Sequence, residues 1–130
     1  MALAPSGDVN MRIVYEKPSW WFLVKLLHPK AEWGKVLFTW GDTIYAWRKM
    51  TDPEIAHEAA HTVQQKRNKL IGLFAILRYT FSKSYMKKCE LEAFRAQYHA
   101  GESLEKTARL MSSPIYKLWS YEEALCALQA

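Results

Sequence analysis

His57-Glu58-Ala59-Ala60-His61 is the segment of this chain best suited to chemistry: two histidines four residues apart, with a glutamate directly after the first. On a helix, residues i and i+4 share one face, so both imidazoles can reach a single metal ion. Imidazole nitrogen suits zinc, and zinc lowers the pKa of a bound water towards about 7. Glu58 would then stand beside the open side of the metal, where its carboxylate can take a proton from that water. The expected cofactor is one Zn2+ ion and the expected chemistry is metal-assisted hydrolysis. The plainer alternative is a pair of surface histidines on an amphipathic helix.

A catalytic zinc takes three protein ligands and leaves a fourth position open. Glu90, Glu92 and His99, on a later stretch of helical character, are the candidates for the third. Glu90 and Glu92 are two apart and point to different sides of a helix, so only one of them should bind.

The elements that must position these groups are partly readable. Thr51-Asp52-Pro53-Glu54 is a strong helix start, with a capping residue, a first-turn proline and a glutamate at the capping-box position. That helix should run to about Asn68, and its Ala56, Ala59, Ala60 and Val63 would let neighbours approach closely. Upstream, residues 11–16 read as a strand, and residues 20–27 as a short helix with Ser19 as its cap. Residues 35–40 and 43–47 read as a hairpin turning at Gly41-Asp42, a weaker signal than Asp-Gly. Downstream, residues 70–79 lean helical, and 84–100 form a helix stopped by Gly101. Residues 103–111 form another, capped by Ser103; Ser113-Pro114 breaks the chain, and Ser120 caps a last helix. The expected class is α+β, mostly helical, with a small N-terminal sheet or hairpin packed on the histidine-bearing helix.

At 130 residues the chain reads as a single domain, 1–130, with residues 1–10 a loose terminus. Two distant cysteines, Cys89 and Cys126, do not suggest a disulfide framework. With no secretory signal visible, the expected location is the cytoplasm. The longest apolar stretches fall well short of the roughly 20 residues of a membrane span. The net charge is +5, and a run from Lys66 to Lys88 carries seven cations and no acid. Contact with nucleic acid or an anionic membrane is possible for such a run, but a solvated face is the commoner outcome.

The helix ending His61-Thr62-Val63-Gln64-Gln65 and the later Glu90-Leu91-Glu92-Ala93 resemble the minimal gluzincin-like zinc peptidases. More closely, the chain resembles small metallopeptidase-like proteins of tailed phages and bacteria. The matching stretches are residues 41–45, 57–65, 90–97 and 112–116, within about residues 36–128. The resemblance implies Glu90 as third ligand, with Glu92 as the alternative and Ala93 allowing close helix packing. Phe94 stands where larger relatives carry an aspartate, which leaves the support of a ligating histidine unassigned. It also implies a peptide-binding edge strand, placed at Tyr45, and an oxyanion donor. Tyr116 is the first choice for that donor, ahead of Tyr98 and His99. Gln64 and Gln65 either support the ligands or lie on the surface.

Hydrolysis of a peptide or protein substrate is the leading reading, with location in a host cytoplasm or virion if the chain is phage-encoded. The alternative is a non-catalytic zinc module for phage assembly or host interaction, which would present an exposed aromatic patch from Trp20, Trp21 or Trp33. A third reading, binding of nucleic acid or an anionic membrane through residues 66–88, is compatible with either. Oligomeric state is not readable.

Overall fold

Gly41 sets the geometry of the sheet. Its φ of +62° is accessible to glycine at no steric cost, while Asp42 keeps the ordinary sign. That pairing suits a two-residue type II′ hairpin, which puts glycine first. The turn joins β2 (Phe38–Trp40) to β3 (Thr43–Tyr45), with Trp40 opposite Thr43. β1 (Arg12–Val14) lies on the other side of β3, parallel to it, giving the order β1-β3-β2. A parallel pair needs a crossover, and α1 (Trp21–Leu27) lies within the segment that supplies it.

The computed structural model describes residues 11–67 and 72–130, with side chains for 11–66 and 77–130. The expected loose terminus, Asn68, and the start of the 70–79 stretch lie outside the described residues. The remaining helices are α2 (Asp52–Arg67), α3 (Gly72–Phe81), α4 (Lys83–His99), α5 (Leu104–Met111) and α6 (Tyr121–Gln129). The fold is mostly helical α+β, as the sequence pattern implies. Among the described residues, no helix is long and apolar enough to cross a membrane.

α2 and α4 form the central helix pair. Ala56, Ala59 and Ala60 of α2 and Ala93 of α4 are all buried. Side chains this small allow two backbones to approach closely at the point where both helices carry functional groups. Beyond α4, Phe94 joins Met111, Trp119 and Leu128 in a core built with α5 and α6. A second core, Ile44, Ala46 and Met50, lies beneath the sheet.

Helix ends follow local chemistry. Ser103 and Ser120 cap α5 and α6 as expected, and Ser120 forms a full capping box with Glu123. α4 begins one residue early, at Lys83, because the Ser82 hydroxyl accepts from the Tyr85 N–H. It ends at Gly101, φ +113°, where the Gly101 and Glu102 N–H groups return to the Tyr98 and Gln97 carbonyls. Ser19 does not cap α1. Trp20 occupies the cap position without a side-chain bond, and the first turn closes instead through the Pro18 and Trp20 carbonyls.

At the start of α2, the Thr51 N–H donates to Glu54 Oε1 at 2.9 Å, and the Glu54 N–H returns to the Thr51 hydroxyl. Arg48 adds a two-pronged ion pair. Partial burial opposes ionisation of Glu54, but Arg48 and Thr51 outweigh it and hold the carboxyl at about 2. Because the folded pKa is depressed, the stabilisation is present above about 4.5 and disappears as the pH falls through 2. Glu54→Gln should lower stability by about 1 kcal/mol at neutral pH. In thermal melts, the gap from the unaltered chain should close between those two pH values.

Candidate metal centre

His57 and His61 occupy successive turns of α2, and Glu90 reaches them from α4. The two Nε2 atoms are 3.2 Å apart. His61 Nε2 lies 3.2 Å from Glu90 Oε1, and His57 Nε2 lies 3.4 Å from Glu90 Oε2. Donors bound at about 2.0–2.1 Å to one tetrahedral ion are necessarily about 3.3 Å from one another. The imidazole pair matches that edge length, and a different Glu90 oxygen faces each imidazole at a similar distance, so the three side chains could hold a single small cation. Among the described residues, these three form the group able to hold a metal ion. Glu92, two residues along α4, is not part of it.

The electrostatics point the same way. Glu90 is buried, at 2% exposure. Burial alone would raise its carboxyl pKa, but the neighbouring histidines hold it well below the usual range. Burial likewise opposes a charge on His61, yet Glu90 raises it to about 9. The pocket thus stabilises a buried carboxylate by drawing positive charge to it, as a divalent cation also would. Glu90 Oε2 has no hydrogen-bond partner among the described residues, which leaves a buried acceptor 3.4 Å from His57 Nε2.

Surrounding groups hold His61 and Glu90 in place. Gln64 Nε2 donates to the Cys89 carbonyl at 2.8 Å, so its Oε1 is left to face His61 Nδ1 at 2.9 Å. An acceptor there holds the Nδ1–H, so that Nε2 is the nitrogen turned towards His57 and Glu90. Gln64 is therefore buried against the His61 ring and is not a surface residue. Tyr79 of α3 donates its hydroxyl to Glu90 Oε1 at 2.6 Å. Burial, followed by the Glu90 charge, pushes that hydroxyl far above 10, so it stays a donor. His57 has neither kind of partner. Its ring stands edge-on to Phe94, with centroids 4.5 Å apart, and no described group bonds its Nδ1.

Glu58 is buried beside the ligands and accepts from the Thr39 hydroxyl of β2. Gln65 ties the same strand to α2, accepting from the Gly41 N–H and donating to the Thr39 carbonyl. β2 is thereby clamped over the helix that carries the motif. A cavity of about 410 Å3 lies over the site, with Glu58, Tyr79 and Tyr116 in its wall beside apolar Leu37, Phe38 and Ile115. Tyr116 packs edge-on to Phe94, and burial followed by the Glu90 and Glu58 charges raises its hydroxyl well above 10. A bend at residues 113–117, with Lys117 at φ +53°, carries Tyr116 to this wall.

Three expected positions fall elsewhere. Tyr45 lies on β3, whose two edges are already paired with β1 and β2, so it cannot receive a peptide strand. Its ring packs on Trp20. The strand that lines the cavity is β2. Tyr98 and His99 stack on each other at the end of α4, away from the cavity wall. Of the three tryptophans considered for an exposed patch, Trp21 is buried against Trp33, and Trp20 packs among Phe38, Trp40 and Tyr45. In the basic run, Arg78 lies over the Tyr85 ring and Lys87 over that of Trp119, while the side chains of Arg67 and Lys69 lie outside the described residues. Cys89 is buried and Cys126 exposed, both as free thiols.

Tyr79 and Thr39 are the groups that the sequence reading missed. Each reaches the site from a different element, and neither belongs to a spacing pattern that could announce it.

Comparison of the chain with protein-family models, with curated proteins and with solved structures finds no match. Any assignment of function must come from the geometry of the site and the motif resemblance.

Removing one supporting bond should weaken the cation site without unfolding the chain. Tyr79→Phe and Gln64→Leu are each expected to lower zinc affinity by about 10–100-fold, measured by competition with a chromophoric chelator. Glu92→Gln should leave that affinity unchanged.

Proposed function

We propose that the chain is a zinc-dependent peptidase of the minimal gluzincin-like type, acting on a peptide or protein substrate. The observation that carries the reading is the convergence of His57, His61 and Glu90, whose facing atoms are 3.2–3.4 Å apart, with Glu58 buried beside them and a cavity above. His57, His61 and Glu90 hold the ion. When bound, zinc supplies Lewis acidity that polarises the scissile carbonyl and acidifies water.

The other steps belong to side chains. Glu58 takes the proton of the attacking water and delivers it to the departing amine. The Thr39 hydroxyl fixes the direction of that carboxylate. Tyr116 keeps its phenolic proton, so it can donate a hydrogen bond to the oxygen that gains negative charge. The apolar wall formed by Leu37, Phe38 and Ile115 favours a nonpolar substrate side chain next to the cleaved bond. Two free thiols fit a cytoplasmic setting, which would be the host cytoplasm for a phage product.

A cavity over the three donors suits catalysis better than a purely structural ion, whose four positions are normally all closed by protein. Glu58→Gln separates the two roles. It should retain stoichiometric zinc by elemental analysis while cleavage of a peptide library falls by about 10²–10⁴-fold. His57→Ala should lose both zinc and cleavage. Cleavage by Glu58→Gln at the unaltered rate would remove the proposed role.

A further inference from the structure

Three elements expose large apolar side chains around one junction. On α1, Phe22 is 67% exposed and Leu26 is 74% exposed, although Trp21 and Val24 of the same helix are buried. An apolar groove runs between α1 and the hairpin, lined by Leu23, Leu27, Phe38, Trp40 and Tyr45. At its far end α1 meets α3, where His28 Nε2 and the Thr80 hydroxyl are 3.1 Å apart. There α3 leaves Leu77 exposed and Phe81 76% exposed. Isolated exposed apolar residues are ordinary, but a run of them along a groove is not.

The same region also carries positive charge. Residues 11–50 hold seven lysines and arginines against three acids, a net +4, although Arg48 among them is paired with Glu54. Lys25 stands on α1 among the exposed leucines, only loosely paired with Glu32 at 3.9 Å. Glu32 is engaged more closely by Lys35 at 3.1 Å. Arg78 on α3 adds a further cation, next to Leu77.

We propose that the face formed by α1, the β2–β3 hairpin and the C-terminal end of α3 seats the protein on an anionic lipid bilayer. Aliphatic side chains to enter the acyl boundary, tryptophan and tyrosine at the level of the headgroups, and lysine to meet their charge are what an interfacial surface requires. Among the described residues no helix is long and apolar enough to cross a bilayer, and the contact proposed is with the bilayer surface. Val24, Leu27, His28 and Phe38 line both this groove and the cavity over the metal centre. The bound membrane would therefore lie next to the cavity. The docking itself does not depend on the metal or on catalysis.

Sedimentation with vesicles tests the proposal. The unaltered chain should bind mixed phosphatidylcholine–phosphatidylglycerol vesicles much more tightly than phosphatidylcholine alone, and added salt should weaken the binding. Phe22→Ser with Leu26→Ser should lower partitioning at least about tenfold. Lys25→Gln, which removes no apolar group, should lower it about fivefold. Leu110→Ser, at an exposed leucine of α5, should change nothing. If the paired serine variant does not fold by circular dichroism, Lys25→Gln decides the matter alone. Failure of the unaltered chain to bind the mixed vesicles, equal binding to both lipid compositions, or insensitivity to Lys25→Gln would overturn the proposal. So would a dimer, found by sedimentation equilibrium, that the serine pair abolishes.

Discussion

The close approach of α2 and α4 is the contact on which the site depends. Two histidines on one helix fix only two corners of a coordination polyhedron; the third must come from a second backbone held at the right distance. Alanine on the facing surfaces makes that approach sterically possible. The Gln64 carboxamide then locks the pair, spanning from the His61 ring to the Cys89 carbonyl on the opposite helix. One side chain thus sets both the spacing of the helices and the orientation of a ligand. A larger residue at Ala93 would separate the helices and move Glu90 out of reach in the same step.

The sheet contributes by holding rather than by reacting. β2 brings Thr39 to Glu58, and Gln65 fastens the strand to α2 through the Thr39 carbonyl and the Gly41 N–H. These bonds occupy polar groups that would otherwise be costly to bury. They also explain why three short strands suffice. The sheet is stabilised from below by Ile44 and from the side by α2, and it need not be an independent unit.

Much of this was legible in the residues alone, for identifiable reasons. Capping signals at Thr51, Ser103 and Ser120 are local, and they marked their helices correctly. The i, i+4 spacing of His57 and His61 is a property of any helix, so their shared face followed at once. The choice of Glu90 over Glu92 needed the resemblance, because spacing says only that the two diverge. Tyr45 was misplaced because sequence order suggests a simple hairpin, whereas β1 returns to cover the outer edge of β3. Tyr79, Thr39 and the bond from Gln64 to the Cys89 carbonyl rest on contacts between different elements. No local rule encodes them. Ser19 failed as a cap because the backbone turn at Pro18 takes that position first.

Phe94 behind His57 has an electronic consequence. A ligating imidazole usually gives its second N–H to an acceptor, which enriches the coordinating nitrogen in electron density. His61 has such a partner in Gln64, while His57 rests against an aromatic edge. The two imidazoles are therefore unequal donors. An ion shared between them would draw less charge from the His57 side and keep more of its own, making it a harder electrophile and a more easily exchanged guest.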